Sequence, residues 1–142
     1  MSDSHIKWTM ACSVGCEALD ADHQQIFAAC DALRELVSGR ERFGESADYD
    51  TQINQGIKTL STVLYAHFAH EESRLAQCSY PDLENHRELH QDCAAFFETM
   101  LADKGSVMAK AAHIEGFIKG WIFQHILVDD MRYKPWLHAG PV

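Results

Sequence analysis

The chain has no apolar run approaching the ~18 residues that a helix needs to cross a membrane. Insertion into a bilayer is therefore not expected. Positive charge is scarce: 12 Lys and Arg stand against 21 Asp and Glu, a net charge of −9. That balance disfavours nucleic acid and anionic lipid surfaces as partners. There is no CxxC pair, and the cysteine count is odd: Cys12, Cys16, Cys30, Cys78 and Cys93. A disulfide framework is not expected, and most of these residues should be thiols. Cys30 and Cys93 fall on helical stripes and read as core residues. Metal ligation or pairing by Cys12 and Cys16 stays open as an alternative. No basic start followed by an apolar stretch opens the chain, so no signal peptide is read and the expected compartment is the cytoplasm. Strand-type alternation, internal repeats and low-complexity tracts are also lacking.

What the chain does have is four regular stripes. The first is Leu19, His23, Ile26, Cys30, Leu33 and Val37. The second is Ile53, Ile57, Leu60, Leu64, His67, Glu71 and Leu75. The third runs Leu83, His86, His90, Cys93, Phe97 and Met100, and the fourth Val107, Ala111, Ile114, Ile118, Trp121, His125 and Val128. Steps of three and four residues are the seam of a helix packed in a bundle. Breaks separate the stripes at Gly39–Asp48, at Ser79–Asp82 and at Asp103–Ser106; Asp82 and Ser106 read as helix-start residues. The 142 residues thus read as one all-α domain. It consists of an irregular arm over roughly 1–18, helices over roughly 19–38, 50–78, 82–102 and 106–130, and a tail over 131–142. Short connections imply antiparallel neighbours, hence an up-down-up-down four-helix bundle. Trp8 should anchor the arm, and the tail should fold back through Tyr133 and Trp136.

The stripes carry an anomaly. Five histidines and Glu71 occupy seam positions, and buried ionisable groups are costly unless paired or bound to metal. His67 and Glu71 are four residues apart, as are His86 and His90, so each pair shares a helix face. In an antiparallel bundle, His23 at the start of the first helix lies beside His67 at the end of the second. His86 and His90 open the third helix, and His125 ends the fourth. All five therefore converge on one end of the bundle. His70 sits about 100° around the helix from Glu71 and reads as a surface residue or one that supports a ligand from behind. His5, His113 and His138 read as solvated.

Imidazoles and carboxylates without a thiolate pair suit iron, zinc, manganese or copper. They are too many for one tetrahedral zinc and about right for two metals that share carboxylates. The zinc-protease pattern HExxH fails, because His70-Glu71-Glu72-Ser73-Arg74 ends in Arg. The ExxH pairs of carboxylate-rich di-iron oxidases are absent as well.

The ordered pattern Asp20-Ala-Asp-His23, His67-Phe-Ala-His-Glu71-Glu72, His86-x-x-x-His90 and His125-x-x-x-x-Asp130 resembles the hemerythrin family, in particular its single-domain bacterial members. The resemblance implies the same up-down four-helix bundle. The resemblance implies a non-heme di-iron centre that binds O₂ reversibly. It implies that His86, His90 and His125 hold one iron and that His23 and His67 hold the other. Glu71 and Asp130 would bridge them together with an oxo or hydroxo group, and the two-histidine iron would offer the open position. Here two lines disagree: plain helical geometry selects Asp129, four residues after His125, whereas the resemblance selects Asp130.

Histidine-rich ligation supplies less negative charge than a carboxylate-rich site. That favours holding O₂ over cleaving it. Phe68, Trp121 and Ile126 are candidate walls of a dry O₂ pocket, or ordinary core packing. The expected function is storage, buffering or delivery of O₂, with molecular oxygen the partner and any protein recipient unidentified. The alternative is an O₂, redox or iron sensor that acts through a separate partner; the lack of an output segment after Asp130 favours the carrier. No acid or base stands out for an enzyme.

Overall fold

The computed structural model describes residues 7–39 and 47–139. His5, most of the expected break at 39–48 and the side chain of His138 lie outside that description. Four long helices make up the body: α1 Glu17–Ser38, α2 Ala47–Gln77, α3 Leu83–Leu101 and α4 Val107–Gln124. A single π turn, His125–Asp129, and a 3₁₀ turn, Asp130–Arg132, follow, and then the short helix α5, Lys134–Ala139. No strand occurs among the described residues. α1 and α3 each pack on both α2 and α4. The start of α1, the end of α2, the start of α3 and the end of α4 meet at one end, which makes the bundle antiparallel, as expected. Among the described residues, no helix is long and apolar enough to cross a membrane.

The seams are buried for the reason the stripes suggested. Ile26, Leu33, Ile53, Leu60, Leu64, Phe97, Ile114 and Ile118 are sealed in one cluster that fills most of the bundle. Cys30 and Cys93 lie in it, and burial pushes both thiols up to about 12, so they stay protonated and inert. All five cysteines are free in the structure, Cys12 buried and Cys16 half-buried. Trp8 packs on this cluster from the arm.

A second cluster, Val14, Leu19, Leu75, Tyr80 and Tyr133, closes the end where α1 and α3 start and α2 and α4 stop. Its approach segments are held by specific contacts. Asp20 accepts from Ser13 Oγ at 2.5 Å and from the Val14 amide at 2.9 Å, which ties the arm to α1. Gly15 between them has φ 80°, a conformation that glycine adopts without penalty. Ser79 also takes the left-handed region, φ 58°, and ends α2 while the Tyr80 amide bonds back to the Leu75 carbonyl. That turn drives Tyr80 inward. Ser106 caps α4 as expected, accepting from the Ala109 amide at 3.0 Å. Asp82 stands at the start of α3 but takes the Asn85 side-chain amide instead of a backbone N–H.

One seam position differs. Val128 is 44 % exposed. The π turn inserts an extra residue per turn, so the buried face passes from His125 to Asp129 and Asp130 and skips Val128.

Candidate metal centre

At the closed end, His23, His67, Glu71, His86, His90, His125 and Asp130 are all at most 3 % exposed. They form two groups in which donor atoms converge: Glu71, His86, His90 and His125, and His23, His67, Glu71 and Asp130. Glu71 turns its two oxygens apart. Oε1 lies 2.7 Å from His86 Nε2 and 2.9 Å from His90 Nε2, while Oε2 lies 3.1 Å from His67 Nε2 and 3.3 Å from His23 Nε2. Asp130 does the same, with Oδ1 at 3.0 Å from His125 and 3.1 Å from His86, and Oδ2 at 3.1 Å from His23.

These separations are those of neighbouring ligand atoms around a cation. With donor bonds of about 2.1 Å, neighbouring ligand atoms sit about 3.0 Å apart in an octahedron and about 3.4 Å apart in a tetrahedron. His23 and His67 present Nε2 to Nε2 at 3.1 Å, as do His90 and His125. Two imidazole nitrogens can share one proton at most, yet here they meet nose to nose, surrounded by carboxylate oxygens. Both Asp130 oxygens are buried close to imidazole nitrogens without hydrogen-bond alignment, their lone pairs left over. A donor set of imidazoles and carboxylates, buried and converging in this way, fits a bound cation.

The charges balance internally when protons stand in for cations. Burial pushes Glu71 and Asp130 toward the neutral acid, but the surrounding histidines override it and hold both well below the usual carboxylate range. Burial likewise pulls His23 and His86 down, and Asp130 and Glu71 more than reverse that, raising each to about 9. His125 is raised in the same way.

The π turn places Asp130, and not Asp129, among the converging donors. The Asp130 amide bonds to the His125 carbonyl, five residues back, so residue 130 takes the place over His125 that residue 129 would hold in an α-helix. Asp129 has a different position. Its Oδ2 lies 3.4 Å from His125 Nδ1, on the outer side of the ring. Two further carboxylates sit behind ligand candidates: Glu72 accepts from His90 Nδ1 at 2.7 Å, and Asp22 lies 3.3 Å from His67 Nδ1. Such partners place the proton on Nδ1 and aim the Nε2 lone pair inward. Tyr133 donates its O–H to Glu71 Oε2 at 2.7 Å, and burial keeps that phenol protonated.

Asp22, Glu72 and Tyr133 were not singled out as site residues from sequence. Asp22 and Glu72 do adjoin His23 and Glu71 in the chain, the one signal that could have marked them. His70 is exposed, with Nδ1 3.0 Å from the same Asp22 oxygen that faces His67. It lies on a groove of about 420 Å³ between α1 and α2 and outside both donor groups. Of the candidate walls, Phe68 stacks on His90 at 4.1 Å and Trp121 on His125 at 4.3 Å. Ile126 is sealed in the main core. His113 is exposed, as read.

Comparison with known proteins agrees with this geometry. The family model described as the Hemerythrin HHE cation binding domain matches residues 14–137. The chain is 28 % identical to a hemerythrin-like protein of Naegleria gruberi over 131 residues, 92 % of each chain. It is 26 % identical to the myohemerythrin of Theromyzon tessulatum over 128 residues, 90 % of each. With the bacteriohemerythrin of Pseudomonas paraeruginosa it shares 23 % identity over 133 residues, 92 % of this chain and 80 % of that one. A buried, histidine-rich cation site on a four-helix bundle, matched by a family model over most of its length, places this chain in the hemerythrin family.

Proposed function

We propose that the centre holds two non-heme iron ions and binds O₂ reversibly, for storage, buffering or delivery of oxygen. The observation that carries this reading is the division of Glu71 and Asp130, each of which offers one oxygen to either donor group. When bound, the iron pair would supply the electrons that O₂ binding requires, with an oxo or hydroxo group between the ions.

The protein's own residues set the rest. His86, His90 and His125 give three imidazoles on one side, and His23 and His67 give two on the other. With both carboxylates shared, the second side has one protein ligand fewer, and we place O₂ there. Five imidazoles against two carboxylates keep the ligand charge low, which favours holding O₂ over breaking it. The Phe68 and Trp121 rings cover His90 and His125 and exclude water from that face. The Tyr133 hydroxyl fixes Glu71, and Asp22, Glu72 and Asp129 hold three rings from behind. These groups position ligands, so we read the protein as a binder and not as an enzyme.

The test is a full oxygen cycle. Ferrous protein is prepared without oxygen, O₂ is admitted and then removed, and the visible spectrum is followed throughout. A band that appears with O₂ and disappears on its removal supports the reading. A single irreversible change, with iron left ferric, contradicts it.

A further inference from the structure

The phenol on Glu71 is the inner end of a row of oxidisable side chains. Tyr133 is fully buried, and its ring lies 6.1 Å from Tyr80 at an interplanar angle of 77°. The Tyr80 ring lies 5.2 Å from Trp136 at 70°. Both separations are those of rings in edge-to-face contact. Trp136 is 38 % exposed, so the row reaches solvent. Its inner end touches the centre twice, through the 2.7 Å bond to Glu71 and through ring contact with His86 at 5.5 Å. A core needs only volume here, which leucine or phenylalanine would fill. Instead every member is a phenol or an indole, and these, with thiols and thioethers, are the side chains that lose an electron most readily.

We propose that Tyr133, Tyr80 and Trp136 form a conduit that carries oxidising equivalents from the metal centre to the protein surface. The inference rests on the two-iron reading above. The oxidant is hydrogen peroxide, which takes two electrons and two protons to become two waters. When the iron is already ferric, both electrons come from the aromatic row. Tyr133 loses one electron, and its phenolic proton passes along the bond to Glu71 Oε2 and on to the water formed. Trp136 supplies the second electron through Tyr80 and releases its indole proton to solvent, while solvent supplies the second proton to the product. One peroxide plus Tyr133–OH plus Trp136 N–H thus gives two waters and two neutral side-chain radicals. A solvent reductant then restores Trp136 with one electron and one proton. Trp136 in turn passes an electron through Tyr80 to the Tyr133 radical, which takes back a proton through Glu71, and a second reductant restores Trp136. Both oxidising equivalents thus leave at the surface and not at the histidines.

The experiment uses the ferric holo-protein, its iron content and visible spectrum measured first. It is mixed with hydrogen peroxide, frozen at short times for electron paramagnetic resonance, and digested for mass-spectrometric mapping of oxidised residues. Expected are a tyrosyl signal and oxidation at Trp136. In Tyr80→Phe the tyrosyl signal should persist longer and oxidation at Trp136 should be lost. In Trp136→Phe the tyrosyl signal should likewise outlast that of the parent. Metal-free protein given the same peroxide should keep Trp136 intact. Equal oxidation of Trp136 in Tyr80→Phe, or in metal-free protein, would overturn the conduit. So would oxidation at Trp121, which stacks on His125 and offers a rival exit. If no iron is bound, the two-iron reading falls and the conduit with it; if iron is bound and no radical forms, the conduit alone falls.

Discussion

His125 Nε2 and Asp130 Oδ1 lie 3.0 Å apart although they are five positions apart in the chain, because a single π turn brings residue 130 back over residue 125. Asp129, one residue nearer, is left behind the ring. The two aspartates should therefore respond differently to the same change. Asp130→Asn leaves one ligating oxygen where two faced the two groups, removes the negative charge, and should abolish iron binding on the two-histidine side. Asp129→Asn loosens only the orientation of His125 and should cost about 10–100-fold in metal affinity, the usual effect of a partner behind a ligand. Iron content and the visible spectrum of each variant check the ranking.

The neighbours His67 and His70 supply a second contrast. They share the Asp22 carboxylate, but only His67 aims Nε2 into the centre. His67→Ala should abolish O₂ binding while the helical far-ultraviolet spectrum is retained. His70→Ala should leave O₂ binding in place. Loss of O₂ binding in His70→Ala alone would show that the wrong histidine has been assigned.

Acidity should act in opposite senses on metal-free and loaded protein. In the metal-free chain His23 and His86 are raised from 6.5 to about 9. Groups raised on folding contribute stability that is fully present below about pH 6.5 and is lost as pH rises through about 9. Glu71 and Asp130 are lowered, so their contribution is present above the ordinary carboxylate range and lost only in strong acid. Metal-free protein should accordingly be less stable to urea at about pH 9.5 than at about pH 6.5. Iron competes with those same protons, so affinity for iron should rise over that interval. Urea unfolding and iron titration at the two values test both signs.

Away from the centre, the bundle should behave as an ordinary packed core. Leu64 is fully buried among Leu60, Ile53 and their partners. Leu64→Ala should cost about 2–5 kcal/mol of unfolding free energy and leave the iron spectrum of the folded fraction unchanged. Calorimetry of the metal-free and loaded forms measures it.

Much of this was legible in the residue order. The three-and-four spacing gave the helices because burial repeats with the helical turn. The histidines betrayed the site because their polarity contradicts that burial. What spacing did not reveal has physical causes. The π turn breaks the helical period, so Val128, which that period places inside, lies outside. Asp22 and Glu72 point behind rings from neighbouring helices, a relation that only tertiary packing creates. Tyr133 was expected to fold back, but its bond to Glu71 depends on where the 3₁₀ turn after the π turn leaves it.

The most direct measurement is an anaerobic titration of metal-free protein with ferrous iron, followed by Mössbauer spectroscopy of the loaded sample. Because Glu71 and Asp130 each face both donor groups, binding should saturate at two irons per chain, in two distinct environments, and both should be disturbed by Glu71→Gln. Saturation at one metal, or two irons of which only one senses Glu71→Gln, would contradict a shared-carboxylate pair.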